Sequence, residues 1–467
     1  MASTARTVLV PAAVAVTLIA GLTACGSDSG SGKDDEQTKK KAEKSEQIAW
    51  QGAAIPGLAA KPAWTVPPAP GGASVFAVGD AFAVVTDNAG ARGKDDESPS
   101  QREGAKTITF RDAKNGAVRR TVKVPDARVS ADTWHGAPAL RVDTTSKTAS
   151  DGMTSDKSTT VAEIYDGQGK KLGSTPVTGA PVSDGWAVKG DTVGRIGSGA
   201  TNKLDAPGEP RALQGAAPSK DLFHFAQRQR TFGGDHAFSY EEVERGTFNH
   251  MKRLVVTDLA TGKKAWTSSE AGRPDQAIPE NKSHDVNVVP VTVVGDRIVL
   301  AWQTKGEDRS SFEPWVMSVN DLKSGRLLTT GPVVEADAPG SMRDFGDPVT
   351  NPTFLVTHDT STGTVVTAGQ SGMGQPWLAT AWDLNSGRRL WSQAKDEKTF
   401  AILTSGDGVV YGYTDVGPGP YSDPIAVDVK TKKVLAKTLD NNQVPVFSTD
   451  GHGAVSVERG VFVFPRA

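Results

Sequence analysis

The chain of 467 residues contains one cysteine. A single thiol excludes an internal disulfide and any metal centre built from several cysteines, so a folded body must be held by packing alone. Aromatic residues are scarce, at 6%. Excess charge is missing too: 52 Lys and Arg stand against 54 Asp and Glu, and nothing in that balance points to a nucleic-acid partner. The longest apolar run, from Val8 to Leu22, is fifteen residues, short of the roughly 20 that a membrane-spanning helix needs. Several catalytic patterns are absent as well. There is no H-E-x-x-H and no G-x-S-x-G, and the Gly-Lys pairs starting at positions 32, 93, 169 and 262 lack the Ser or Thr of a phosphate-binding loop. Seven histidines are scattered between His135 and His452 without metal-ligand spacing. The acidic triplet Asp95-Asp96-Glu97 lies among Arg92, Lys94 and Arg102 and reads as a solvated loop, since no calcium-loop pattern surrounds it. No catalytic residue, metal ligand or cofactor is assigned.

What is present begins at the amino end. Arg6 gives a positive start, the apolar run follows, and Leu22-Thr23-Ala24-Cys25 closes it. These parts together resemble a bacterial lipoprotein signal peptide. The resemblance implies cleavage between Ala24 and Cys25, a diacylglyceryl thioether on Cys25 and fatty acylation of the palmitate type at the new amino terminus. Two or more acyl chains make a stable anchor. Residues 1–24 are then the signal, and 25–47 a spacer, GSDSGSGKDDEQTKKKAEKSEQ after the cysteine, with no aliphatic side chain larger than alanine. Such a stretch cannot bury enough surface to offset its ordering entropy. The expected location is the extracytoplasmic face of the cell membrane, reached through the lipid.

Residues 48–467 alternate short apolar-polar strands with turn chemistry and show no long helical periodicity. One unit recurs: an alternating strand, Asp, a few residues including Gly, a basic residue and a second strand. The clearest copies are VVTDLATGKKAW (255–266) and ATAWDLNSGRRLW (379–391). Others carry Asp112 with Gly116, Asp166 with Gly169, Asp321 with Gly325, and Asp428, and a weak copy surrounds Asp205. The clear copies supply Asp258 with Gly262 and Asp383 with Gly387. The carboxylate folds back onto amides two or three residues on, and Gly takes the positive φ that closes the turn. Gly262 to Trp266 and Gly387 to Trp391 share one spacing.

That spacing is similar to the T-G-K-x-x-W signature of pyrroloquinoline-quinone-type repeats, whose tryptophans pack between blades. The resemblance extends over most of 60–465 and implies an all-β quinoprotein-like propeller of four-stranded blades, eight in number, with seven as the alternative. With strands lettered A to D from the centre outward, the Asp-Gly motifs are C-to-D turns. A second set of tight turns, at 78–80, 183–185, 294–296, 361–363, 405–408 and 458–460, are A-to-B turns, and both sets fall on one face. The long segments 88–105, 144–160, 304–314 and 415–423 then connect B to C on the other face, where Phe312, Phe345 and Tyr421 are the candidate binding aromatics. For closure, 454–464 supplies strands A and B, and IAW (48–50) with PAWTV (62–66) supplies the rest, leaving no free edge.

The quinoprotein resemblance also implies a catalytic possibility, a dehydrogenase with calcium and, in the alcohol-oxidising group, a vicinal disulfide. One cysteine cannot form that disulfide. The chain is more similar to noncatalytic lipid-anchored propellers of the BamB type and to actinobacterial-looking lipoproteins with such a domain. The expected function is a noncatalytic binding or scaffold protein at the cell envelope, without cofactor, acting on a protein or envelope polymer. The alternative is an extracytoplasmic enzyme, either a quinoprotein oxidoreductase or a glycan-active propeller.

Overall fold

A computed structural model describes residues 48–87, 105–125, 127–148, 157–177, 182–189, 192–197, 201–203, 213–214, 229–230, 232–244, 250–279, 285–304, 312–337, 354–370, 376–414, 424–440 and 443–467. All regular elements described are strands. Among the described residues no helix is long and apolar enough to cross a membrane.

The strands group into consecutive antiparallel sheets. Blade 1 is Ala73–Val78, Ala81–Asp87, Lys106–Asp112 and Val118–Val124, and blade 2 is Ala127–Trp134, Ala137–Thr148, Lys157–Tyr165 and Lys171–Pro176. Blade 3 has short strands, Val182–Ser183, Trp186–Lys189, Thr192–Arg195 and Thr201–Lys203. Blade 4 comprises Phe232–Gly233, His236–Glu244, His250–Asp258 and Lys264–Thr267, with Asp285–Val286 added in parallel beside His250–Asp258. Blade 5 is Val288–Val294, Arg297–Gln303, Phe312–Asp321 and Leu327–Asp337, and blade 6 is Phe354–Asp359, Thr364–Gln370, Trp377–Asp383 and Arg389–Ser392. Blade 7 is Ala401–Gly406, Val409–Tyr413, Pro424–Asp428 and Val434–Ala436. The last, blade 8, joins Val446–Phe447, Gly453–Val457 and Gly460–Phe464 to Trp64–Val66 from the other end of the described chain. Its inner strands pack on Ala73–Val78 of blade 1.

The ring is a β-propeller. Seven of its sheets are four-stranded, and the sheet of blade 4 has the same four-strand path with a fifth strand attached. Eight blades counts that sheet; seven leaves it out. A short pair, Leu213–Gln214 with Gln229–Arg230, falls in the connection between blades 3 and 4.

Apolar alternation places each core between neighbouring sheets, with no common centre. Ile108 and Phe110 of blade 1 pack with Val129, Leu140 and Val142 of blade 2, while Phe82 and Val84 of blade 1 pack with Val461 and Val463 of blade 8. Each blade therefore depends on its two neighbours, as in other repeat architectures. Residues 47–467 form one compact unit, and the ring closes within it.

Closure by strands from both ends holds, but the division differs from the sequence expectation. Residues 453–464 are strands B and C, not A and B, because Val446–Phe447 takes the innermost place. That strand is two residues long, too short to carry an alternation pattern. Glu458-Arg459-Gly460 is accordingly a B-to-C turn. Of the two expected amino-terminal strands, only Trp64–Val66 forms. Ile48-Ala49-Trp50 pairs with no strand, and the Trp50 ring instead stands edge-on to Phe462 and Phe464 at 5.0 and 5.3 Å. The copy expected around Asp205 is also displaced: Thr201–Lys203 is the outermost strand of blade 3, so the C-to-D turn there starts at Ile196-Gly197.

Candidate functional site

The A-to-B and C-to-D turns lie together at one end of the ring, and a repeated backbone bond joins them. In five of the six blades with a leading Asp, the next residue donates its N–H to the A-to-B turn of the same blade: Ala113 to Asp80 O, Leu259 to Asp235 O, Leu322 to Asp296 O, Leu384 to Gly363 O and Val429 to Gly408 O. Ile196 to Gly185 O is the blade 3 equivalent, which has no leading Asp.

Each leading Asp serves its own turn. Asp112 Oδ1 accepts from the N–H groups of Lys114 and Asn115, Asp166 Oδ1 from Gln168 and Lys170, and Asp258 Oδ1 from Thr261. Asp321, Asp383 and Asp428 accept from Ser324, Ser386 and Thr431. The Ser324 and Ser386 hydroxyls also donate to Asp321 and Asp383, and these bonds hold both carboxyls below their ordinary pKa. Gly116, Gly169, Gly262, Gly325 and Gly387 all have positive φ, while in blade 7 Lys432 holds that conformation at 65°.

Tryptophans tie blades together just outside these turns. The Trp266 indole donates to Leu322 O at 2.8 Å, and its ring lies where a Cβ on Gly325 would stand 2.8 Å from it. Trp391 donates to Val429 O, and Trp64 donates to Ala113 O with its ring against Gly116. Trp64 is a third member of the repeat that the sequence reading missed. Its strand joins blade 8 from a distant part of the chain, so no Gly precedes it at the usual spacing.

The densest polar constellation joins blades 2, 3 and 4. His135 and Asp235 both occupy A-to-B turns, at φ of 49° and 62°, in two-residue loops completed by Gly136 and Gly234. Such loops match the twist of paired strands but force positive φ on both residues. Standing out of these turns, His135 Nδ1 meets Asp235 Oδ1 at 2.7 Å, and Trp186 Nε1 donates to the same oxygen at 2.9 Å. The Arg195 guanidinium covers the Trp186 ring at 5.2 Å from its centroid. Between them, Asp184 of blade 3 accepts from Gly136 N through Oδ1 and from His135 N through its carbonyl. Burial works to raise the Asp235 pKa, but the hydrogen bonds from His135 and Trp186, with the His135 and Arg195 charges, outweigh it and hold the carboxyl below its ordinary value. A His–Asp pair can serve as a general base. Here the Cε1–Nε2 edge of His135 faces Gly185, 3.1 Å from where a Cβ would stand, so the ring is wedged between turns.

A second constellation surrounds Asp407 in the A-to-B turn of blade 7. Its side chain is 4% exposed, and Arg466, two residues past the third strand of blade 8, approaches Oδ1 at 3.1 Å. Burial raises the Asp407 pKa and nearby Asp359 adds to the rise, against Arg466 and His452. Asp359 is committed elsewhere, accepting from Ser361, Thr362 and Gly408.

Several sequence candidates lie outside the described residues: Ala24 and Cys25, with Phe345 and Tyr421 of the expected binding face. Phe312 opens the third strand of blade 5, and its side chain is likewise outside them. The segments 88–104, 149–156, 305–311 and 415–423 lie outside the described residues; each separates a second from a third strand, and those strands have their facing ends opposite the tight turns. Among the described residues no group of three or more His, Cys, Asp or Glu side chains is placed to hold a metal.

No protein-family model matches the chain, and no curated protein matches it. Solved structures do. A eukaryotic initiation factor is 10% identical with a TM-score of 0.39, covering 86% of this chain and 94% of its own. BamB from Moraxella catarrhalis is 11% identical with a TM-score of 0.36, covering 88% and 97%. The propeller domain of the Trilobed protease from Pyrococcus furiosus is 11% identical with a TM-score of 0.33, covering 84% and 95%. These scores are low, and the β-propeller assignment rests on the sheet order itself.

Proposed function

We propose that this protein is a lipid-anchored, noncatalytic binding or scaffold propeller at the extracytoplasmic face of the cell envelope, tethered through Cys25. What supports the scaffold reading is the use made of the polar groups at the tight-turn end. The leading Asp residues accept hydrogen bonds from their own turns, and His135 and Asp235 bond each other across blades. The long sequences between second and third strands are the segments assigned here to binding a protein or envelope polymer, as long loops on a rigid scaffold commonly are. The tether rests on the sequence of residues 6–25.

Two measurements test this reading. Metabolic labelling with a palmitate analogue is expected to mark the wild type and not Cys25→Ser, with the variant leaving the membrane fraction; equal labelling of both would overturn the anchor. For the noncatalytic part, the 47–467 unit is titrated with pyrroloquinoline quinone and calcium while thermal unfolding and dye-linked alcohol or sugar oxidation are followed. A ligand that binds the native state raises the unfolding midpoint by mass action. The expected result is no shift and no turnover; a rise with turnover makes the protein an oxidoreductase.

A further inference from the structure

The Trp slot of the repeat is filled differently in blade 1. Four residues after Gly262 and Gly387 stand Trp266 and Trp391; four residues after Gly116 stands Arg120. Its Cβ and Cδ lie 2.8 and 3.1 Å from where a Cβ on Gly169 would be, so the aliphatic stem covers the next blade's turn glycine as the Trp266 ring covers Gly325. An arginine can pack its stem and keep its charge in water. The residue is exposed overall, on the outermost strand Val118–Val124.

Arg120 is one of a group. Lys114, Lys123 and Lys170 are also exposed, and none of the four makes an ion pair among the described residues. The carboxylates of this rim are already taken: Asp112 by Arg119, Glu163 by Lys171 and Tyr165, and Asp166 by its own turn. Lys106 is buried against Asp87 and does not belong to the rim; the remaining outer parts of blades 1 and 2, residues 107–124 and 158–176, hold seven Lys and Arg against three Asp and Glu. Across the ring, the matching parts of blades 5 and 6, 314–336 and 377–392, hold four against three. Amid the cations sits Val118, at 54% the most exposed large apolar side chain described.

We infer that the rim of blades 1 and 2, centred on Arg120, docks on an anionic lipid headgroup surface. Free cations attract acidic phospholipids, each worth about fivefold in affinity near the surface. The exposed valine among them favours a bilayer over a soluble polyanion, because apolar side chains flanked by Lys and Arg gain by entering the headgroup boundary. This inference rests on the anchored reading above, since the anchor is what keeps the domain beside a bilayer.

The test is cosedimentation of the 47–467 unit with vesicles of phosphatidylglycerol and phosphatidylcholine in equal parts, and with phosphatidylcholine alone. The unit lacks Cys25 and the spacer lysines, so a failure removes the rim and leaves the anchor to the palmitate experiment. Binding is expected to the anionic vesicles only, and to fall on raising salt from about 0.05 M to about 0.5 M. Arg120→Gln, Lys123→Gln and Lys170→Gln together should cost roughly a hundredfold. Lys323→Gln with Arg326→Gln, on the rim of blade 5, should cost nothing. Val118→Ser should weaken binding a few-fold. If the triple variant has a lower unfolding midpoint, Lys123→Gln and Lys170→Gln alone, both on exposed side chains, carry the reading at about 25-fold. No sedimentation of the wild type, equal binding to neutral vesicles, or equal loss in the blade 5 variant would overturn the inference. Tighter binding to inorganic polyphosphate than to vesicles would overturn it in favour of a soluble polyanion.

Discussion

Two kinds of seam hold neighbouring blades together. In the seams from blade 4 to 5, blade 6 to 7 and blade 8 to 1, an indole lies between sheets and donates one bond to the carbonyl that follows the leading Asp or its equivalent. From blade 2 through 3 to 4, the join is polar: His135 reaches past the turn of blade 3 to Asp235, with Trp186 and Arg195 around the pair. The difference is one of strand length. Blade 3 is built from strands of two to four residues and offers little apolar face, so side chains on the turns themselves do the joining. Where sheets are long, area holds the ring; where they are short, hydrogen bonds between turns do.

The largest effect expected from breaking either seam is at Trp266, which is 2% exposed. Trp266→Ala removes a buried ring and leaves Leu322 O without its donor, and urea unfolding of the 47–467 unit should show a loss of about 3–5 kcal/mol. A neighbouring glycine probes the same packing from the other side. At Gly325 φ is 68° and a new Cβ would meet the Trp266 ring at 2.8 Å, whereas at Gly79 φ is 64° with nothing within 4 Å. Gly79→Ala should therefore cost only the backbone term, about 1–2 kcal/mol, and Gly325→Ala clearly more. Equal costs at the two positions would show that ring contact does not matter.

In the polar seam, His135→Ala leaves the partly buried Asp235 carboxylate with Trp186 as its remaining hydrogen-bond donor and should cost about 1–3 kcal/mol. Acid sharpens the contrast further. The folded pKa of Asp235 is lowered, so its stabilisation is present above the unfolded carboxylate value of about 4 and is lost as pH falls through the folded value. The folded pKa of Asp407 is raised, so its contribution is present below that unfolded value and is lost as pH rises through the folded one. Asp235→Asn should flatten the acid limb of stability against pH, and Asp407→Asn the limb above it. Unfolding followed from about pH 3 to about pH 7 checks both, and the tryptophan seams should be insensitive over that range.

The tryptophan seams were half legible in the sequence. Trp266 and Trp391 stand at fixed spacing from glycines within one continuous repeat, while Trp64 belongs to a repeat whose third strand lies almost 400 residues away, so no local window contains it. Strand alternation identified the blades, except where the innermost strand shrinks to two residues, as at Val446–Phe447. The polar seam was illegible. His135 looks like any residue in a two-residue turn, and its partner is 100 positions on, two blades away. Nothing periodic marks that pair, because the contact depends on how closely turns converge near the axis. Arg120 was visible as a residue in a repeat, and its slot became meaningful only when the tryptophans were seen to cover glycines.

The claim that the polar constellation joins blades, and is not kept for chemistry, is tested most directly by a double-mutant cycle on His135→Ala and Asp235→Ala in the 47–467 unit, read by urea unfolding. A joining pair predicts a coupling of about 1–3 kcal/mol between the two substitutions. Additive losses, with no coupling beyond about 0.5 kcal/mol, would contradict it and free His135 and Asp235 for another role.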